Sequence, residues 1–250
     1  MIFRQLFESD SSTYTYLIAD PDSREAILID PVRETVSRDL QLLNDLGLKL
    51  ITSVETHVHA DHLTGARLLK ERTGCAIAYP AMVHASCVDV GIREGEALHV
   101  GGIALQPLYT PGHTDHHYAF LIDTPVLKQV FTGDALLIEA CGRTDFQSGD
   151  PEALYNSIHN KIFSLPDETL VYPGHDYEDR CITTVGQEKA RNPRLGKGRS
   201  KADFVALMNG LDLPYPRKID FAVPGNEQCG ACPDNIPQQY RGTCALHDQG

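Results

Sequence analysis

No run of apolar residues in this 250-residue chain approaches the length of a membrane-spanning helix, so a helical transmembrane protein is excluded. Positive charge is also in short supply: 22 Lys and Arg face 34 Asp and Glu, for a formal net charge of -12. Most of such a surface would repel nucleic acid or an anionic membrane, and neither is expected as a partner. A local basic pocket for a small anion remains compatible with that balance. Internal repeats, low-complexity tracts and regular cysteine spacing are missing as well. The seven cysteines are an odd number, and the scatter of Cys75, Cys87, Cys141 and Cys181 reads as free thiols in a reducing compartment. The opening "MIFRQLFESDSSTYTYLIAD" enters strand-like alternation at once, without the apolar core of a signal peptide or the Arg-rich look of a transit peptide. A cytoplasmic protein is therefore expected, in a bacterial cytosol first, with a mature mitochondrial matrix protein as the other compartment. What the chain does have is 42% hydrophobic residues, ample for one large domain or two modest ones.

Periodicity divides the chain. "TYTYLIA" (13–19) and "EAILID" (25–30) are β-rich runs joined by the turn "DPDS". In "RETVSRDLQLLNDLG", Val36, Leu40, Leu43 and Leu46 recur at helical spacing and Gly47 is a stop signal. "LKLITSVET" reads as a buried strand, "TGARLLKERTG" as a helix and "CAIAYP" as a further strand. Strand patterns dominate residues 98–150, followed by a helix around "PEALYNSIHNKIFSLP" and the short strand "TLVYPG". The text then becomes irregular, with one helix expected at "SKADFVALMNGL" and no long strand. This predicts a core domain over residues 1–178, an appended, partly helical region over 179–250 packing on the same domain, and a flexible tail from about residue 233.

The chemistry is concentrated at strand ends. His57, His59, Asp61 and His62 form H-x-H-x-D-H directly after a buried strand, and imidazole with carboxylate suits Zn, Fe or Mn better than Ca or Mg. "TPGHTDHH" delivers His113, "FTGD" ends at Asp134 and "YPGHDY" carries His175. Each motif alone is weak. Four strand ends each carrying a His or Asp are what a sheet scaffold needs to build one site on an edge. The pair Cys229 and Cys232 in "CGAC" has no second pair at zinc spacing and no thioredoxin-like unit around it, so it reads as a coincidence of a tail.

Taken in order, "THVHADH", "PGHT", "TGD" and "PGHD" resemble the metallo-β-lactamase superfamily over residues 1–178. The resemblance implies an α/β fold, an αββα sandwich with the site at one edge. In dinuclear hydrolases of glyoxalase II type, the positions matching His57, His59 and His113 hold one metal and those matching Asp61, His62 and His175 a second, with Asp134 bridging. All seven are present here. However, "GDALLIEACGRTDFQSGDPEALYNSI", "HDY", "NPRL" and "IDFAVPGNEQCG" more closely resemble the persulfide dioxygenases, extending the likeness to about residue 232. A glyoxalase II would carry an aromatic pair where Thr144 and Asp145 stand, and a longer helical C-terminal domain.

The second resemblance implies one Fe(II) per chain, held by His57, His113 and Asp134. His59, Asp61, His62, His175 and Asp176 would then orient ligands or waters. Its substrates would be glutathione persulfide and O₂, its products sulfite and glutathione, and its assembly a homodimer. Arg143, Tyr177 and Arg194 are the residues expected to meet the tripeptide's carboxylates, since guanidinium forks suit that geometry. The alternatives are a dinuclear thioester hydrolase and a non-catalytic sulfide- or metal-binding protein.

Overall fold

Residues 1–234 and 236–244 are described by the computed structural model. They form two compact units. The first comprises Met1–Gly91, Val100–Gly102 and the chain from Tyr215 onward, the second Ile92–His99 and Ile103–Pro214.

The first unit is built on the sheet β1-β2-β3-β4-β5-β6, with β1 Ile2–Glu8, β2 Thr13–Ala19, β3 Glu25–Ile29, β4 Lys49–Val54, β5 Ala76–Pro80 and β6 Val90–Ile92. β1, β2 and β3 form an antiparallel meander, whereas β3, β4 and β5 run parallel. Parallel neighbours need crossovers, supplied by α1 (Val36–Asp45) and α2 (Ala66–Thr73). Every residue of β2 is buried, because the strand is covered on both faces. One face carries Leu17, Ala19 and Leu28 into a cluster with Val36, Leu43, Leu68 and Leu69 of the two helices. α1 stops where the sequence pattern predicts, with Gly47 in the left-handed region at φ 59° and its N–H donated to the Asn44 carbonyl.

The second unit carries the sheet β12-β11-β10-β9-β8-β7, with β7 Leu98–Val100, β8 Ile103–Tyr109, β9 Tyr118–Asp123, β10 Lys128–Gly133, β11 Leu170–Pro173 and β12 Thr183–Thr184. β8, β9 and β10 are antiparallel, and β10 pairs parallel with β11 across α3 (Pro151–Ser157). The Asp150 carboxylate caps α3 by accepting from the Glu152 and Ala153 amides, and the helix continues through a wider turn over Ile158–Ile162. Leu154, Ile158 and Ile162 pack with Val171, Val185, Phe204 and Met208 to form this unit's core. Parallel pairing matters for function: β3 with β4, and β10 with β11, each bring the loops after the pair to one edge of their own sheet.

Beyond residue 178 the structure departs from the expected single helix. α4 (Val185–Arg191), α5 (Lys201–Asn209) and α6 (Ile219–Asn226) are all present. α4 is short and depends on its Thr184 cap, and α6 contains Pro224, so neither has a periodicity that a sequence pattern would register. Residues to Pro214 belong to the second unit and those from Tyr215 to the first. Part of the tail expected to be flexible is built: Ile236 is buried and α7 spans Arg241–Cys244. Asn235 and residues 245–250 lie outside the described residues.

The cysteine expectation requires correction. Cys87 is bonded to Cys229 and Cys232 to Cys244, leaving Cys75, Cys141 and Cys181 as thiols. Cys87 and Cys229 are 142 residues apart, and no spacing rule reads a pair made by tertiary contact. Cys229 and Cys232 therefore form neither a dithiol nor half a zinc site.

Candidate metal centre

In the first unit the site grows from Asp30, the residue after β3. It is buried, with a left-handed φ of 49°, and its carboxylate organises the loop after β4. Asp30 Oδ1 accepts from the Thr56 N–H at 2.8 Å, and Oδ2 accepts from the Thr56 hydroxyl at 2.8 Å. That hydroxyl has one proton, already given to Asp30, so toward His57 Nδ1 at 2.9 Å its oxygen is the acceptor. His57 therefore carries its proton on Nδ1 and a lone pair on Nε2. Asp30 Oδ1 also lies 3.1 Å from His59 Nε2, which faces Glu55 Oε2 at 3.3 Å on its other side.

His57, His59 and His62 are at most 2% exposed, and neighbouring rings have centroids 4.2 and 4.4 Å apart. His62 Nδ1 pairs with Asp61 Oδ2 at 2.9 Å. Two buried ring nitrogens have no hydrogen-bond partner, His59 Nδ1 and His62 Nε2. Orphan buried nitrogens with their opposite nitrogens fixed by carboxylates are the arrangement of metal-binding imidazoles. His59, Asp61 and His62 offer donor atoms within 4.8 Å of one another, as do Asp30, Glu55 and His59. Burial alone would lower the His59 imidazole, but the Asp30 and Glu55 carboxylates outweigh it and hold it well above the usual histidine range. Burial likewise raises Glu55 to about 7, against the pull of its His59 and Thr64 hydrogen bonds.

The second unit presents His113, Asp134 and His175. His113 Nδ1 donates to the Arg143 carbonyl at 2.8 Å, which leaves Nε2 toward Asp134 Oδ2 at 3.5 Å. Asp134 Oδ1 lies 3.3 Å from His175 Nε2 and, though buried, has no hydrogen-bond partner. Behind it, the Asp134 N–H donates to His117 Nε2 at 3.1 Å, so His117 holds its proton on Nδ1 against Thr110 Oγ1. Glycine makes this packing feasible: a Cβ on Gly174 would lie 2.5 Å from Asp134 Oδ1, and one on Gly142 2.9 Å from His113 Nδ1.

Other residues expected at the site have varied surroundings. Asp176 accepts from the Glu178 and Arg180 amides and from the Arg180 guanidinium, so its carboxylate is committed to a turn. Arg143 makes a two-pronged pair with Asp145 at 2.6 and 2.7 Å, donates to the Pro214 carbonyl and lies over the Phe146 ring at 4.7 Å. Arg194 is half-buried and donates to the Cys141 carbonyl at 2.9 Å. Tyr177 is 72% exposed, its ring parallel to that of His175 at 6.2 Å. Sequence reasoning passed over Asp30, Glu55, Thr56 and His117. Asp30 was findable, since "ILID" ends a strand on an acid as "FTGD" does.

The model of the metallo-beta-lactamase superfamily matches residues 9–175. Persulfide dioxygenase ETHE1, mitochondrial, of Bos taurus is 48% identical over 231 residues, covering 92% of this chain and 89% of that protein. The crystal structure of ETHE1 from Myxococcus xanthus matches with a TM-score of 0.87 and 51% identity, covering 92% of this chain and all of that one, 100%. Hydroxyacylglutathione hydrolase of Dictyostelium discoideum is 33% identical over 174 residues, 67% of this chain and 63% of that protein. Two six-stranded sheets with their helices agree with the αββα expectation.

Proposed function

The chain belongs to the metallo-beta-lactamase superfamily and, within it, to the persulfide dioxygenases, and we propose that it oxidises the sulfane sulfur of glutathione persulfide. The observation that carries this reading is 48% identity to a persulfide dioxygenase over 92% of the chain. The reaction balances as glutathione persulfide, O₂ and water giving glutathione, sulfite and two protons. A metal-binding donor set is present, and the assignment is one Fe(II) per chain on His57, His113 and Asp134. Two imidazoles and one carboxylate suit Fe(II) and leave positions open for substrates. When bound there, the iron supplies O₂ activation beside the persulfide sulfur.

The chain's own residues then have separate tasks. Thr56 and the Arg143 carbonyl hold the protons of His57 and His113 on Nδ1, keeping each Nε2 available as a donor. His117 holds the Asp134 backbone, leaving its carboxylate to act as donor. His59, Asp61, His62 and His175 orient ligands and waters around them. Arg143, Tyr177 and Arg194 are assigned to the carboxylates of the tripeptide, with Arg143 sharing its guanidinium between ligand and Asp145.

We assign the enzyme to a bacterial cytoplasm or the mitochondrial matrix, and its assembly to a homodimer. Cysteine pairing removes one argument for the reducing compartment. Among the described residues no helix is long and apolar enough to cross a membrane.

One observation favours the dinuclear hydrolase instead: beyond the assigned iron ligands, His59, Asp61 and His62 offer a further group of donor atoms within 4.8 Å of one another. The hydrolase relative, at 33% identity over 67% of the chain, supports it less. Metal analysis combined with O₂ uptake on glutathione persulfide separates the two. About one iron per chain with persulfide-dependent uptake supports the dioxygenase, whereas two metals with thioester hydrolysis and no uptake would sink it.

A further inference from the structure

The segment "PGNEQCG", residues 224–230, contributes no donor to the proposed iron, yet it is tied to the loop that does. Helix α6 ends on Asn226, which is fully buried. Its Nδ2 donates to the His59 carbonyl and to the His62 carbonyl, both at 2.8 Å, and its Oδ1 accepts from the Thr64 N–H at 2.9 Å. A primary amide has two N–H donors, and both go to the backbone of the histidine loop. Residues 55–63 belong to no strand or helix, so the carbonyls of the buried His59 and His62 depend on such outside donors.

Neighbouring residues make that approach possible and hold it. A Cβ on Gly225 would lie 2.6 Å from Leu63 Cδ2, and one on Gly230, at φ +84°, would lie 2.2 Å from the Thr64 carbonyl oxygen. Arg67 N–H donates to the Cys229 carbonyl at 3.1 Å, and Arg33 Nη1 donates to that of Gly230 at 2.9 Å. The Cys87–Cys229 disulfide lies three residues after Asn226.

We infer that Asn226 is a positioning residue of the metal centre, setting the backbone path from His59 to Thr64 and thereby the directions of the loop's imidazoles. α6 is then a working part of the site rather than an appended helix. The inference rests on the reading that the histidine loop carries the iron. It differs from a merely structural role in what it affects: metal affinity and ligand geometry, not only stability.

The test compares the full chain with Asn226→Ala and Asn226→Ser, the latter keeping one hydroxyl donor. Each is checked for folding by circular dichroism. Fe(II) dissociation constants are measured by chelator competition, Co(II) absorption reports ligand geometry, and kcat and KM are taken with glutathione persulfide. Loss of both carbonyl bonds in Asn226→Ala is expected to weaken Fe(II) binding by about tenfold or more, with Asn226→Ser intermediate. The Co(II) bands should move, and kcat should fall while KM stays within about twofold. Folded variants that match the parent within about twofold in Fe(II) affinity, with an unchanged Co(II) spectrum, overturn the assignment; if the alanine variant does not fold, the serine variant decides by the same readouts. A parent that takes up no iron and oxidises no persulfide overturns the functional reading instead, and with it the inference.

Discussion

Replacing Thr56 by valine removes one hydroxyl while preserving shape. That hydroxyl is buried, donates to Asp30 Oδ2 at 2.8 Å and accepts from His57 Nδ1 at 2.9 Å. In Thr56→Val the carboxylate loses one of its donors and the His57 N–H loses its acceptor. A buried hydrogen bond to a charged group contributes about 1.5–3 kcal/mol, and stranding a neutral partner costs about 1–3 kcal/mol, so a loss of about 3 kcal/mol is expected in the metal-free protein. For a chain of this size, that lowers Tm by roughly 6–12 °C. The Thr56 hydroxyl then no longer holds the His57 proton on Nδ1, and metal affinity should drop by about 10–100-fold. Thr56→Ser retains the hydroxyl and should recover most of both quantities. The assays are thermal unfolding of the metal-free protein and Fe(II) competition against a chelator. If Thr56→Val binds Fe(II) within about twofold of Thr56→Ser, the hydroxyl does not fix the ring and the tautomer argument is wrong.

Three further outcomes can be checked. Asp134→Ala should abolish iron retention and O₂ uptake, while Asp61→Ala should keep its iron; iron lost from Asp61→Ala would refute the single-iron assignment. Gly142→Ala places a Cβ 2.2 Å from the Asp134 carbonyl oxygen and 2.9 Å from His113 Nδ1, so iron content and activity should fall together, whereas Gly242→Ala, with open space around it, should change neither. Burial raises the Cys141 thiol to about 11, which leaves only about one molecule in a thousand as thiolate at pH 8. The exposed Cys181 should be alkylated at that pH while Cys141 stays unmodified in the folded protein, as mass spectrometry of the digested adduct would show.

Strand ends carrying His or Asp were legible because strands announce themselves by composition and the loops after them by Gly and Pro. His57, His113, Asp134 and His175 all obey that logic. Thr56 and His117 could not be ranked above their neighbours, since their importance lies in which proton they hold and that is settled only by three-dimensional contacts. Asn226 is 167 residues from His59, and no local pattern links a helix-ending amide to a carbonyl at that distance. The same holds for Cys87 and Cys229. Irregular sequence after residue 178 concealed α4 and α6, because short helices held by caps and tertiary contacts leave little periodicity. The donor residues alone do not give the metal number, since all seven positions of the dinuclear set are present; one iron per chain is what the resemblance implies.

Main chain, rather than side chains, forms much of the wall around these donors. Added carbon at Gly142 or Gly174 would collide with His113 or Asp134, and at Gly225 or Gly230 with the loop bearing the other histidines. Evolution and protein engineering therefore face the same restriction: the centre cannot be retuned by enlarging its nearest neighbours. Substitutions are accommodated more readily farther out, where residues such as the 72% exposed Tyr177 have room to be exchanged. The reactive core can stay constant while the rim diversifies.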